Sequence, residues 1–186
     1  MPFMGFLEID EIQGESTVAG HSDEIDVFDV MWDIERPSAG ARGSGRARGR
    51  AIATDFEFRK FTDASSPYLA EVCSTGRSFD EVVFTARNPV GTTPTDFLVV
   101  TSSDCFVTGY QMDGIEDETS GTLAETVSIA AQKIKIEYMV RHPDGSSAAE
   151  HETECDVAAV ASSARPILSP ARGFTAGLPP PQCGQR

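Results

Sequence analysis

The sequence predicts an all-β fold, mainly an antiparallel β-barrel or two-sheet sandwich, carrying one short α-helix. Three observations predict it. Several runs alternate apolar and polar residues with the two-residue period of a strand. One stretch carries the start and stop signals of a helix. And 186 residues give room for one well-buried domain.

Along the chain, residues 3–8 and 24–32 read as the first two strands. Residues 37–50, PSAGARGSGRARGR, show no apolar period and are too rich in Gly and Ser to hold a shape alone, so they read as a long loop between strands. Segment 51–61, AIATDFEFRKF, is the clearest strand, with Ile52, Phe56 and Phe58 on one side and Asp55, Glu57 and Arg59 on the other. The helix is signalled at 66–75. Ser65 or Ser66 caps it, Pro67 suits its first position, Leu69, Val72 and Cys73 make an apolar stripe, and Gly76 ends it. Tyr68 and Glu71 then face outward or toward a neighbour.

Residues 79–87, with Val82, Phe84 and Ala86 on one face, and 96–109, rich in β-branched and aromatic residues, follow as strands. In 125–140 the apolar positions Val127, Ile129 and Ala131 change parity to Ile134, Ile136, Tyr138 and Val140. A one-residue slip inverts every side chain, so one regular strand cannot bury both sets in one core. A bulge or bend near Gln132 and Lys133 is expected, as where a strand turns a barrel corner. After about residue 160 the Pro-rich chain reads as a flexible tail, which divides the sequence into a folded domain, 1–160, and an extension, 161–186.

The net charge of −14 argues against nonspecific attraction to nucleic acid or to an anionic membrane surface. Its distribution is uneven. Residues 1–35 contain acids and no Lys or Arg, whereas Arg36, Arg42, Arg46, Arg48 and Arg50 lie in a segment with no acid. That segment lacks the aromatics of a base-stacking arm, and it reads either as a solvated loop or as a contact for an acidic surface of another copy. The start of the sequence lacks a signal-peptide pattern and no run approaches a membrane span, so a cytoplasmic protein is expected.

No catalytic pattern stands out. His21, His142 and His151 occur without a Gly-x-Ser-x-Gly elbow or a His-x-x-x-His pair, and the expectation is a protein that is not an enzyme and uses neither metal nor cofactor. His21 reads as orienting the turn into the second strand. The acidic run with Asp113, Glu116, Asp117 and Glu118 lacks the spacing of a calcium loop and reads as a solvated turn. Cys73, Cys105, Cys155 and Cys183 lie far apart and read as free thiols. Trp32 and the phenylalanines read as core.

Three stretches, in order, carry a resemblance. They are Phe6 to Ser16 (FLEIDEIQGES), His21 to Val27 with Trp32, and Phe58 to Leu69, which holds a Lys-x-x-Asp-x-Ser-Ser-Pro-x-Leu pattern at Lys60, Asp63, Ser65, Ser66, Pro67 and Leu69. Together they resemble the Hcp (haemolysin-coregulated protein) family of type VI secretion tube proteins, over roughly residues 4 to 160. The chain departs from the family in its five arginines, where members commonly have a Gly- and Ser-rich segment, and in Glu154 to Val157, where members commonly place a Gly-Trp pair.

The resemblance implies six copies closing into a ring, and rings stacking into a hollow tube inside a contractile sheath and baseplate. It further implies a spike at the tip, effectors in the lumen, and release from the cell without a signal peptide. The candidate interface residues are Arg42, Arg46, Arg48, Arg50, Tyr68 and Glu71. Two rivals share the architecture: a tail-tube protein of a phage or related contractile particle, and a carrier whose C-terminal extension is cargo.

Overall fold

The computed structural model describes residues 3–36, 52–88, 94–114, 123–141 and 147–157. The strands are β1 (Met4–Ile9), β2 (Ile25–Met31), β3 (Ile34–Glu35), β4 (Ile52–Ala53), β5 (Phe56–Phe61), β6 (Ser78–Asn88), β7 (Thr95–Asp113), β8 (Ala124–Arg141) and β9 (Ser147–Asp156), and helix α1 (Ser66–Thr75) lies between β5 and β6. Among the described residues the fold is all-β with helix α1 between β5 and β6, as the period-two runs predict. The segment 37–50 and the extension 161–186 fall outside the described residues.

Six strands close into an antiparallel barrel in the order β5-β2-β1-β6-β7-β8, with β5 returning to pair with β8. Closure removes the free edges that an open sheet would present. β9 adds to β8 outside the barrel, from Lys133↔Asp156 to Arg141↔Ser147. Inward-facing residues fill the barrel, among them Leu7, Ile25, Val27, Phe56, Phe58, Phe84, Val127 and Ile129, and Leu69 and Val72 of α1 join the same core.

Segment 51–61 is not one strand. Thr54 and Asp55 break it, so Phe56 and Phe58 are buried while Ile52 is exposed in a two-stranded ribbon with Ile34 and Glu35. The break is held by hydrogen bonds. Trp32 Nε1 donates to the Thr54 carbonyl at 3.1 Å, the Asp33 amide donates to Thr54 Oγ1 at 3.0 Å, and the indole stacks on Phe56.

The parity change in β8 occurs where expected, by a different device from a bulge. The β7–β8 register is the same on both sides of Gln132, running from Ser103↔Lys133 to Cys105↔Ala131. β6 and β7 likewise pass from Glu81↔Ser103 to Phe79↔Cys105. Burial switches parity in all three strands at that row: Phe79 to Val82, Cys105 to Ser102, Ile129 to Ile134. The three strands bend together through a corner at Asp80, Asp104 and Gln132, and Asp104 takes a left-handed φ of 52° to do so. The register slip in this ladder lies instead between Val107 and Gly109.

Helix α1 begins after Ser65 and ends at Gly76, whose φ of 68° lets its amide close on the Val72 carbonyl. Neither serine acts as a side-chain cap for it: Ser65 makes no cap bond, and Ser66 points inward.

Candidate functional site

Two buried polar clusters and one open groove stand out among the described residues. The first cluster grows from the Lys60, Asp63, Ser65, Ser66, Pro67 pattern. Period two places Lys60 on the same side of β5 as Phe56 and Phe58, so its side chain enters the barrel wall and is fully buried. A buried ammonium needs acceptors for every proton. Lys60 Nζ lies 2.9 Å from Glu125 Oε2, 2.8 Å from Asp63 Oδ1, 3.0 Å from Ser66 Oγ and 2.9 Å from the Phe61 carbonyl.

Ser66 Oγ donates to Glu125 Oε2 at 2.8 Å, and Tyr110 donates to Oε1 at 2.9 Å. Burial pushes the Glu125 carboxyl up, but the hydrogen bonds from Lys60, Ser66 and Tyr110 outweigh it and hold the group below its ordinary value. Burial and the Glu125 carboxylate push the Tyr110 phenol up to about 12. A serine beside a lysine is a pairing some hydrolases use. Here Ser66 gives its proton to Glu125 and Lys60 faces two carboxylates, with both side chains closed from solvent. The cluster anchors the start of α1 to β5 and β8.

The second cluster forms on the outer face of β1. Phe6 alternates with Leu7 and so faces away from the barrel interior, yet it is 0% exposed. The loop between β1 and β2 covers it: His21 stacks on Phe6 with centroids 4.1 Å apart and rings 1° from parallel. His21 Nδ1 contacts both Glu24 carboxylate oxygens at 2.9 Å, and Nε2 lies 3.3 Å from Asp96 Oδ1. Arg87 of β6 donates to Asp96 through Nε at 2.6 Å and Nη2 at 3.1 Å, and to the Ala19 carbonyl through Nη1 at 3.0 Å.

Hydrogen bonding to Arg87 holds the Asp96 carboxyl below the usual range, whereas burial raises that of Glu24. The loop itself doubles back so closely that a Cβ on Gly14 would sit 2.3 Å from the Glu24 carbonyl oxygen. Glu15 next to it accepts the Ala64 amide at 3.1 Å, which joins this loop to the first cluster.

The groove has a volume of about 860 Å³ and opens between that loop, β1, β6 and the start of α1. Glu8, Asp10, Glu11, Asp23, Glu24, Asp80 and Glu81 line it together with Tyr68, and its described lining contains neither Lys nor Arg. Arg77 pairs with Glu11 beside it. No group of three or more His, Cys, Asp and Glu among the described residues is arranged to hold a metal ion.

Of the candidate interface residues, Tyr68 and Glu71 are exposed on α1, and Tyr68 reaches the groove. Arg42, Arg46, Arg48 and Arg50 lie outside the described residues; Arg36, just before them, is exposed. Cys73, Cys105 and Cys155 are free thiols, with Cys105 pushed up to about 12 by burial. No described helix is long and apolar enough to cross a membrane.

These features define a class: a small closed antiparallel barrel with a helix fixed to its wall by a buried ion pair. The chain belongs to the Hcp family of type VI secretion system effectors, whose model matches residues 6–138. It is 27% identical over 141 residues to the protein hcp1 of Pseudomonas aeruginosa, covering 76% of this chain and 86% of that one. Among solved structures it is similar to Hcp1 from Salmonella typhimurium, with a TM-score of 0.69 at 28% identity over 86% of this chain and 97% of that one. A type six secretion system protein superposes with a TM-score of 0.78 at 21% identity, covering 84% and 97% of the two chains, which concerns the fold alone.

Proposed function

We propose that this protein is the structural subunit of a type VI inner tube: homohexameric rings stack into a hollow tube that is expelled with its spike and carries effectors in its lumen. The function is mechanical and requires no catalysis. Sheath and baseplate are its partners in the machine, and the protein leaves the cell with the tube. Family membership supports this reading, and one further observation carries the contact between rings. A groove walled by carboxylates lies on a chain whose own segment 36–50 holds five arginines and no acid.

Six copies of a chain of charge −14 repel one another unless opposite charges meet at their contacts. In the proposed stack, Arg42, Arg46, Arg48 and Arg50 of one copy meet the acidic groove of another, where Tyr68 offers a ring face for a guanidinium and Glu71 extends the acidic rim. Such heterologous contacts close within a ring and stay open along the axis.

Electron microscopy of purified rings across ionic strength tests this. Tube length is expected to fall as salt rises, to collapse in Arg46→Glu with Arg48→Glu, and to recover when Asp80→Lys and Glu81→Lys are added. Tubes indifferent to both salt and charge reversal overturn the stacking contact, and a chain that forms no rings at any salt overturns the tube reading itself.

A further inference from the structure

His21 faces more acceptors than a neutral imidazole can serve. An ionised carboxylate only accepts, and a neutral ring has one N–H. Glu24 sits against Nδ1 and Asp96 against Nε2, so both bonds exist together only when both nitrogens carry protons. The surroundings suit a charged ring. It lies flat on the face of Phe6, over which Arg87 also sits at 5.6 Å, and it is 6% exposed.

We propose that His21 is a proton-operated clamp: with both nitrogens protonated it ties the β1–β2 loop, residues 10–24, to the turn end of the β6–β7 ladder, and on losing one proton it lets one side go. The charged groups facing it are Glu24 from its own loop, Arg87 from β6 and Asp96 from β7, with Glu8 of β1 acting on Glu24. With the ring charged, His21 and Arg87 balance Glu24 and Asp96. With it neutral, Glu24 loses its hydrogen-bonded cation, keeps only the through-space pull of Arg87, and still faces Glu8 and Asp96. Burial already raises the Glu24 carboxyl, so the half-buried charge is costly to leave alone.

Arg87 keeps both Asp96 and the Ala19 carbonyl in either state, so what is released is the direct tie from His21 of the loop to Asp96 of β7. Because that loop supplies Asp10, Glu11 and Asp23 to the groove, the clamp makes the groove wall depend on the protonation of His21. This last consequence rests on reading the groove as the stacking surface; the clamp does not.

Amide hydrogen exchange of residues 12–24, corrected for intrinsic rates, tests it on full-length rings at about pH 5.5 and about pH 8. Loop opening is expected to be about tenfold greater at the higher pH, the scale of one charge-assisted bond, and His21→Gln is expected to abolish that difference. A flat wild-type profile, or an unchanged slope in His21→Gln, overturns the clamp. Should the variant not fold, ¹⁵N spectra of the wild-type ring decide: two protonated nitrogens at about pH 5.5 support the clamp, and one neutral tautomer overturns it. A loop that responds to pH in rings whose tube length does not respond would leave the clamp standing and remove the groove from the stacking contact.

Discussion

The two buried clusters differ in what each does with its charge. Around Lys60, Glu125 and Ser66 are closed from solvent and Asp63 is 12% exposed, and hydroxyls from Ser66 and Tyr110 complete the Glu125 carboxylate. Around His21, Glu24 is 16% exposed and Asp96 35% exposed, and the ring at the centre is a cation only while both its nitrogens carry protons. The first cluster locks a helix into the barrel wall. The second holds a surface loop over Phe6 in a way that the loss of a proton undoes. The contrast teaches that a buried ion pair anchors when it is saturated and switches when one member is a histidine at the rim.

Removing one partner from the closed cluster is the strongest way to break this comparison. Lys60→Met leaves Glu125 and Asp63 facing each other without a cation and is expected to cost about 3–5 kcal/mol, read from the urea midpoint. A loss below about 1 kcal/mol would mean that the cluster is wetter than its burial indicates.

Acid sharpens the comparison next. The Glu125 and Asp96 carboxyls are held below the 4.5 and 3.8 of free groups, so their contributions are complete above those values and are lost as pH falls through the folded values. Glu24 runs the other way: its raised carboxyl contributes below 4.5 and that contribution is lost as pH rises through the folded value. Urea unfolding stepped from neutral to acid pH is expected to show falling stability below about pH 4.5. The fall should be smaller in Lys60→Met, where Glu125 has lost its reason to stay ionised.

At the rim the expected effects shrink. Arg87→Lys removes the two-pronged contact with Asp96, and because solvent screens that carboxylate the loss is expected to be about 1 kcal/mol, measured by the same unfolding experiment. A loss of 3 kcal/mol or more would place this pair with the closed cluster and erase the distinction.

Much of this was legible in the residues and some was not, for physical reasons. Alternation announces strands because one wet face and one dry face impose it, and Pro67 and Gly76 bracket the helix through backbone constraints that are local. The same alternation put Lys60 among Phe56 and Phe58, a signal of a buried charge. Its partner Glu125 lies 65 residues away on another strand, and no local pattern pairs them. The break at Thr54 and Asp55 was hidden because Ile52 keeps the correct parity while its strand has left the barrel. The corner at Asp80, Asp104 and Gln132 was visible in β8 alone, and only the three-strand register shows that the neighbours bend with it. The groove was unreadable because its carboxylates come from β1, the following loop and β6.

The same chemical change made at both clusters gives the finest discrimination. Glu125→Gln takes the charge from a carboxylate that accepts from an ammonium and two hydroxyls, and an amide has one acceptor oxygen where the carboxylate had two. Glu24→Gln keeps an amide oxygen for His21 Nδ1 and relieves a charge that burial already disfavours. Its cost is expected to stay within about 0.5 kcal/mol, against about 3 kcal/mol for Glu125→Gln, in parallel urea titrations at neutral pH. Equal costs would show that saturation of the carboxylate, the property said to separate anchor from clamp, does not set the energetics of either site.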